Sequence, residues 1–208
     1  MVRRRRLVVC VVLVVGAVLL GISLRSRPGD PSFYWLTMAL AATWGLGAFL
    51  SGPLHLGHIE WHGRNQRPVL TGTGVGLLMV GVFLLGGLVV REIPPLAERI
   101  TRVLQYTDFG PLWLIVLITV VNGVTEELFF RGALFTALGR WHPVLISTLL
   151  YIVATLASGN PMLGFAALIL GTVCALERRA TGGVLAPVLT HLVWGLAMVL
   201  TLPPLFGV

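Results

Sequence analysis

Long runs of hydrophobic residues, separated by short polar or glycine- and proline-containing stretches, make up most of this 208-residue chain. A helix of about 20 residues crosses the hydrocarbon core of a bilayer. That length predicts spans near residues 7–24, 33–51, 69–90, 110–139, 143–158, 161–177 and 183–202. The runs lack the alternation over about ten residues that is typical of barrel strands. The pattern therefore predicts one domain over residues 1–208, an all-α polytopic membrane helical bundle with about seven transmembrane helices.

The composition agrees with a chain held in lipid. Hydrophobic residues make up 56% of it, charged residues only 11%, and the mean hydropathy is +0.92, whereas soluble domains average about 25% charged residues. All 15 basic residues are arginines, and they form no basic patch interleaved with aromatic residues. We therefore expect the lipid bilayer as a partner and no nucleic acid. Cys10 and Cys174 lie far apart in two apolar spans, which implies no disulfide framework.

Arginines also predict the orientation. Arg3 to Arg6 precede the first apolar run, which is too long for a signal peptide and lacks a convincing cleavage site, so we expect a retained anchor. By the positive-inside rule the N-terminus lies in the cytoplasm. Nine arginines then fall on that side (Arg3, Arg4, Arg5, Arg6, Arg64, Arg67, Arg140, Arg178 and Arg179) and five on the other (Arg25, Arg27, Arg91, Arg99 and Arg102). We expect an integral protein of a bacterial plasma membrane.

Three charged residues lie together inside the fourth apolar run. Glu126, Glu127 and Arg131 are the only charges between Pro111 and Leu138, and each charge at membrane depth costs roughly 2.5–3.5 kcal/mol on insertion scales. On a helix Glu127 and Arg131 are four positions apart, so they share a face and can pair. Glu126 points about 100° away. It is then an unpaired carboxylate in a low-dielectric site, where it can act as general base for a water molecule.

His191 is the candidate partner of this acidic pair. It lies about eight residues, or roughly 12 Å, from the cytoplasmic start of the last span, and Glu126 also falls in the cytoplasmic half of its own span. The two depths permit contact in one cavity that opens to the cytoplasm. We therefore predict that Glu126 and His191 approach closely enough for one water molecule to bridge them.

The motif E-E-x-x-x-R, followed some 60 residues later by an apolar helix with His after Ala-Pro, resembles the CPBP family of membrane-embedded CAAX prenyl endopeptidases and bacteriocin-processing proteins. The similarity covers a core of about 110–202. It implies that Glu126 is the catalytic glutamate that activates water, with Glu127 and Arg131 supporting it. By the same resemblance His191 holds the water, a metal or the tetrahedral intermediate.

The chain departs from that family at two positions. Thr155 stands where the second motif, F-x-x-x-H, carries His, and Gly195 stands where the third motif, H-x-x-x-N, carries Asn. Glu126 and His191 remain as candidate metal ligands, so a divalent metal such as zinc would find an incomplete site, because catalytic zinc prefers three protein ligands. The lost Asn would also remove an oxyanion donor. Asn122, one turn before Glu126, is a candidate substitute.

Three functions follow from these residues. The leading interpretation is an intramembrane endopeptidase that hydrolyses a membrane-associated peptide or protein with a glutamate-activated water. The alternative is a catalytically impaired relative that acts as a membrane scaffold or an immunity-type binding protein, which Thr155 and Gly195 favour. A proton-coupled carrier using Glu126 and Glu127 is a third reading, weakened by the lack of internal repeats.

Three further patterns predict local features. Small faces for close helix packing are expected in the third span at Gly72, Gly76, Gly81, Gly86 and Gly87. Residues 91–109 mix charges, prolines and apolar residues, as in a partly helical interfacial segment. His55, His58 and His62 would share a face if their segment were helical, but the surrounding glycines and prolines favour solvated histidines in a loop over a metal site.

Overall fold

The computed structural model describes residues 2–61, 63–107 and 109–208. The helices of this part are α1 (Val2–Ser23), α2 (Pro31–Ser51), α3 (Val69–Val90), α4 (Pro94–Leu104), α5 (Leu112–Glu127), α6 (Phe135–Leu138), α7 (Pro143–Leu156), α8 (Pro161–Thr181) and α9 (Leu185–Phe206). A π-helix (Leu128–Leu134) joins α5 to α6, and a 3-10 turn (Gln105–Thr107) follows α4. Two short strands, β1 (Ile59–Trp61) and β2 (Arg64–Gln66), form an antiparallel hairpin.

Six helical segments in the described residues are long and apolar enough to cross a membrane, including the continuous helix Leu112–Leu138. The prediction of an all-α polytopic membrane bundle is confirmed. The count of seven is not confirmed, because the fifth predicted span forms α7, a helix of 14 residues. At 1.5 Å per residue it extends only about 21 Å, less than the hydrocarbon thickness of about 30 Å.

Short polar residues and prolines set the helix starts. The Asp30 carboxylate accepts the main-chain N–H of Ser32 at 2.8 Å, and Pro31 begins α2. Because that bond favours the ionised carboxylate, it lowers the pKa of Asp30. Asn160 accepts the N–H of Met162 at 2.9 Å ahead of Pro161 in α8. Both starts follow the usual preference for Asp or Asn at the cap and proline in the first turn.

The predicted small face of α3 packs against α9. A Cβ atom built on Gly72 would lie 2.6 Å from the carbonyl oxygen of Ala186, and one built on Gly76 would lie 2.8 Å from the Val193 side chain. The predicted close packing is confirmed for these two glycines. A Cβ atom built on Gly87 would lie 3.2 Å from the Leu205 side chain, whereas the prediction is wrong for Gly81 and Gly86, which have no neighbour within 4 Å. The α3–α9 contact matters for function because α9 carries His191.

Alanine at Gly72 is expected to destabilise the fold by about 1–3 kcal/mol, the usual cost of overpacking a tight contact. The obstruction is a main-chain carbonyl, which cannot rotate away. Gly74→Ala is the matched control on the same helix, because nothing lies within 4 Å of its added methyl group. Thermal unfolding of both variants in detergent measures the difference. Equal melting temperatures for the two variants would contradict the predicted α3–α9 contact.

The segment between α3 and α5 is partly helical, as predicted. Helix α4 is amphipathic. In the 3-10 turn after it, the Tyr106 hydroxyl oxygen lies within hydrogen-bonding distance of the carbonyl oxygens of Leu24 and Ser26. Partial burial raises the pKa of Tyr106. The Asn160 side-chain amide donates to the Arg99 carbonyl oxygen at 2.7 Å. These bonds fix α4 against the loops at one end of the bundle.

The histidine-containing loop is not helical. His55 and His58 are exposed and precede the β1–β2 hairpin, and His62 lies outside the described residues. His55 and His58 therefore do not share a helix face, and the predicted loop is confirmed for these two residues. The backbone of residues 55–58 is neither helix nor strand. It bonds instead to the connection between α8 and α9, with His58 donating its N–H to the Thr181 carbonyl oxygen and Val184 donating its N–H to that of His55. The loop thus closes one end of the bundle.

Candidate active site

The charged residues lie where the long helix changes its winding. An ordinary α-helix ends at Glu127, and the next seven residues, Leu128–Leu134, form a π-helix before α6 resumes. The predicted helix over 110–139 is present as the continuous helix Leu112–Leu138, and its winding changes within Leu128–Leu134. Phe129, Phe130 and Arg131 are consecutive, yet each is at most 1% exposed. Other helices surround the segment, and π-helical turns are frequent at functional sites.

Glu127 holds two partners with one oxygen. Its Oε1 accepts from Arg131 Nη1 at 3.0 Å and lies 2.8 Å from Nδ1 of His191. The predicted Glu127–Arg131 pair is thus present, and both side chains are fully buried. Since this oxygen accepts from Arg131, the proton in the second bond belongs to His191 Nδ1. The tautomer follows from the hydrogen-bond network, and it leaves Nε2 free of that bond.

Arg131 is held from several sides. Its Nη2 donates to the Gly171 carbonyl oxygen at 3.0 Å, and its guanidinium lies 4.7 Å from the centre of the Tyr151 ring. The Arg178 Nε donates to the main-chain oxygen of Arg131 at 2.8 Å. A Cβ atom at Gly171 would approach the Tyr151 ring to 2.9 Å. The absence of a side chain there lets α8 bring its carbonyl oxygen to the guanidinium.

Glu126 has a different environment from its neighbour. It is partly exposed, whereas Glu127 is 0% exposed. The Tyr151 hydroxyl donates to Glu126 Oε2 at 2.9 Å. Glu126 is therefore the more accessible carboxylate of the pair, tied to α7 through one hydroxyl group and not neutralised by a direct bond to arginine.

His191 was predicted to lie close to Glu126, but the glutamate that it contacts is Glu127. Its direct partner is Glu127 and not Glu126. A water bridge between His191 and Glu126 therefore stays a prediction. A Cβ atom at Gly123 would lie 3.4 Å from the imidazole. Two cavities of about 290 and 480 Å³ have linings that include neither Glu126 nor His191, so the shared cavity also remains a prediction.

The residues at the two family departures lie close to this group. The Thr155 hydroxyl donates to the Tyr151 main-chain oxygen at 2.8 Å, one turn back along α7. A Cβ atom at Gly195 would lie 3.8 Å from His191 and 3.5 Å from Thr119, which is ordinary contact. Asn122 uses its amide nitrogen on the Ile118 carbonyl oxygen at 3.0 Å, and its buried Oδ1 has no partner. The amide nitrogen carries a second N–H, so the role of Asn122 as a substitute oxyanion donor stays a prediction.

These side chains do not fit a zinc site. Among the described residues, no group of three or more His, Cys, Asp or Glu side chains is arranged to hold a metal ion. Glu127 Oε1 is occupied by Arg131 and by the His191 ring, so Glu126 and His191 Nε2 remain as donors. Catalytic zinc prefers three protein ligands and a water molecule. No chemical step is therefore derived through a metal.

Sequence reasoning missed two contributors to the site, Tyr151 and Gly171, and one buried acid, Glu177. Tyr151 occupies the aromatic position of the altered second motif, and that motif was its available signal. Gly171 acts through its main-chain oxygen, for which the sequence offers no signal. Glu177 is buried although it precedes Arg178 and Arg179 at a helix end, a pattern that is typical of solvated charges.

The fold and the site together define an integral membrane protein of helical type with a buried Glu-Arg-His network and one accessible carboxylate. Residues 108–197 match the family model described as Type II CAAX prenyl endopeptidase Rce1-like. This segment contains Glu126, Glu127, Arg131 and His191, and its match to the family model confirms the resemblance found in the sequence. No curated protein and no solved structure gives a significant match to the chain.

Proposed function

We propose that this protein is an intramembrane endopeptidase of the CAAX-protease type that hydrolyses a peptide bond of a membrane-associated substrate. The observation that carries the proposal is that two consecutive glutamates differ in burial and in hydrogen-bond partners. Glu127 is fully buried and fixes His191 and Arg131. Glu126 is partly exposed and has a hydroxyl donor as its partner. The family match adds the class of reaction.

In this reaction Glu126 takes a proton from water, and the resulting hydroxide attacks the carbonyl carbon of the scissile bond. The proton then passes to the leaving nitrogen as the tetrahedral intermediate collapses. Glu127 accepts from His191 Nδ1, which orients the ring and presents Nε2 to the water or the intermediate. Tyr151 holds one carboxylate oxygen of Glu126, so the other oxygen is left for the water.

Cleavage of a membrane-anchored reporter peptide tests the proposal with purified protein in lipid. Glu126→Gln is expected to reduce turnover by about 10²-fold or more, the usual contribution of a general base.

Tyr151→Phe keeps both carboxylates and removes one hydrogen bond to a charged group, which is worth about 1.5–3 kcal/mol. A loss of turnover of about tenfold or more is therefore expected in the same assay. Glu92→Gln is the matched control, because Glu92 is exposed and pairs only with Arg91 among the described residues. Full activity of Glu126→Gln would contradict the proposal.

The second candidate is a catalytically impaired relative that binds a membrane partner. One observation favours it: the Thr155 hydroxyl is used on the main chain of its own helix, and Gly195 offers no side chain. Both positions that would complete the family motifs therefore contribute nothing to Glu126. If neither the wild-type protein nor Glu126→Gln cleaves the reporter peptide although both fold normally, the partner-binding function is favoured over the endopeptidase.

A further inference from the structure

A second buried acid lies outside the group proposed to act on the substrate. Glu177, on α8, is 7% exposed, and its Oε1 lies 2.9 Å from the hydroxyl oxygen of Thr190. Its other oxygen, Oε2, is buried and has no hydrogen-bond partner in the described residues. Thr190 is 0% exposed and immediately precedes His191 on α9. Glu177 therefore meets the helix of the candidate histidine one residue from that histidine.

The number of protons available at the Thr190 hydroxyl indicates the protonation state of the Glu177 carboxyl group. The Thr190 hydroxyl oxygen lies 2.9 Å from the Gly72 carbonyl oxygen as well as 2.9 Å from Glu177 Oε1. A hydroxyl group has one proton, and a main-chain carbonyl oxygen can only accept. If Thr190 donates to Gly72, the contact with Glu177 is a hydrogen bond only when the carboxyl group carries a proton on Oε1.

The ionised alternative is unfavourable for two reasons. A carboxylate would leave two acceptors, Gly72 and Glu177, competing for one hydroxyl proton. It would also leave a charged Oε2 buried without any partner, and burying an unpaired charge is far more costly than burying a neutral group. Arg178, the adjacent cation, donates its Nε to the main-chain oxygen of Arg131.

We propose that Glu177 is a neutral carboxylic acid that donates to Thr190 and thereby positions His191, a role that rests on the function proposed above. The bonds run from Glu177 to the Thr190 hydroxyl and on to Gly72, and they join α8, α9 and α3. Gly72 is also a point of close packing between α3 and α9, because a Cβ atom built on it would lie 2.6 Å from the carbonyl oxygen of Ala186. Glu177 is a positioning residue and not a catalytic one.

The mechanical reason lies in the geometry of α9. Consecutive residues of an α-helix point about 100° apart, so Thr190 and His191 contact different neighbours. A rotation of α9 that breaks the Thr190 bonds also moves the imidazole away from Glu127, to which it is now 2.8 Å. Functional side chains need placement to within about 0.5 Å. The hydrogen bonds of Thr190 and of His191, which lie on different sides of α9, therefore hold the helix at a single angle of rotation about its axis.

Infrared spectroscopy tests the protonation state directly. At neutral pH the carbonyl stretching band of a protonated carboxylic acid is expected in the Glu126→Gln variant, in which the other candidate acid is removed. It should disappear in the double variant Glu126→Gln with Glu177→Gln. A missing band in the first variant, or the same band in both, would overturn the neutral-acid assignment. This measurement requires no catalytic activity.

Nitrogen NMR of the imidazole tests the positioning role. The chain has five histidines, so Gln replacements at His55, His58, His62 and His142 leave His191 as the single signal. Glu177→Gln keeps a donor toward Thr190 and should keep the Nδ1 resonance, whereas Glu177→Met should shift or broaden it. Thr190→Val should act like Glu177→Met, and Thr190→Ser should act like wild type. An unchanged resonance in both Glu177→Met and Thr190→Val would overturn the positioning role.

Reporter cleavage separates the two proposals. If the protein is a peptidase, Glu177→Met should lower kcat with little change in KM, and Glu177→Gln should restore most of it. If wild type does not cleave the reporter while the infrared band and the His191 resonance respond as expected, the proposed function fails and the positioning role stands. Should Glu177→Met not fold, Thr190→Val against Thr190→Ser provides the same comparison.

Discussion

Replacing Arg131 with alanine is expected to lower the free energy of unfolding by about 3–5 kcal/mol, the usual cost of breaking a buried ion pair. The guanidinium is 0% exposed and donates to Glu127 and to the Gly171 carbonyl oxygen. Its removal leaves a buried carboxylate without its cation and a carbonyl oxygen without this donor. Because Glu127 also binds His191, the loss should extend to the candidate active site.

Arg102→Ala is the matched control for this prediction. Arg102 and Glu98 have the same spacing of four positions and a distance of 2.9 Å, but both side chains are more than 60% exposed. Exposed helical pairs of this kind contribute only about 0.3–0.5 kcal/mol. Chemical unfolding of the two variants in the same detergent gives the comparison. Normal stability of Arg131→Ala together with lost cleavage would make Arg131 a catalytic group instead of a structural one.

Restoring the two altered family positions is expected to increase peptidase turnover by about 10²-fold. The double variant carries Thr155→His and Gly195→Asn. A single oxyanion donor contributes about 10²–10³-fold to kcat where one has been removed by mutation, and the Asn would supply that donor. The added imidazole would start one turn from Tyr151, whose hydroxyl binds Glu126. A third donor beside Glu126 and His191 would also approach the ligand number that catalytic zinc prefers.

The structure has room for the first atom of the new Asn side chain. A Cβ atom at Gly195 would meet its neighbours at 3.5 and 3.8 Å, without displacing them. Each single variant and the double variant are compared in the reporter assay, with and without a chelator. Wild-type cleavage should resist the chelator, whereas the double variant should become sensitive to it. A double variant that folds normally but cleaves no faster than wild type would contradict the prediction and favour the scaffold.

The membrane architecture could be predicted from the residue pattern alone. Uninterrupted apolar runs leave helices as the structure that satisfies the main chain in lipid, and the long runs at 69–90 and 183–202 correspond closely to α3 and α9. The Glu127–Arg131 pair also followed from sequence, because a spacing of four positions brings two side chains together on one helix. Gly72 and Gly76 predicted close packing through their lack of side chains.

The choice of Glu127 over Glu126 as the partner of His191 depends on how the helices pack and could not be predicted from the residue pattern. Depth along two helices restricts a contact to one level of the bundle, but the rotation of each helix chooses between consecutive residues. Two features of the structure go with the observed rotations of these helices about their axes. Helix α9 packs closely against α3 at Gly72, and the winding of the helix that carries Glu127 becomes π-helical after that residue. Hydropathy depends on residue type and does not report either feature.

The partners of Tyr151 and Glu177 were likewise a tertiary outcome. Tyr151 reaches Glu126 from α7, and Glu177 reaches Thr190 from α8 to α9. Neither bond follows from a local spacing, because each joins residues on different helices. A glutamate followed by two arginines near a helix end has the sequence pattern of a solvated charge, yet packing buries this one. Local periodicity fixes which residues share a helix face, and the packing of the whole bundle decides what each face contacts.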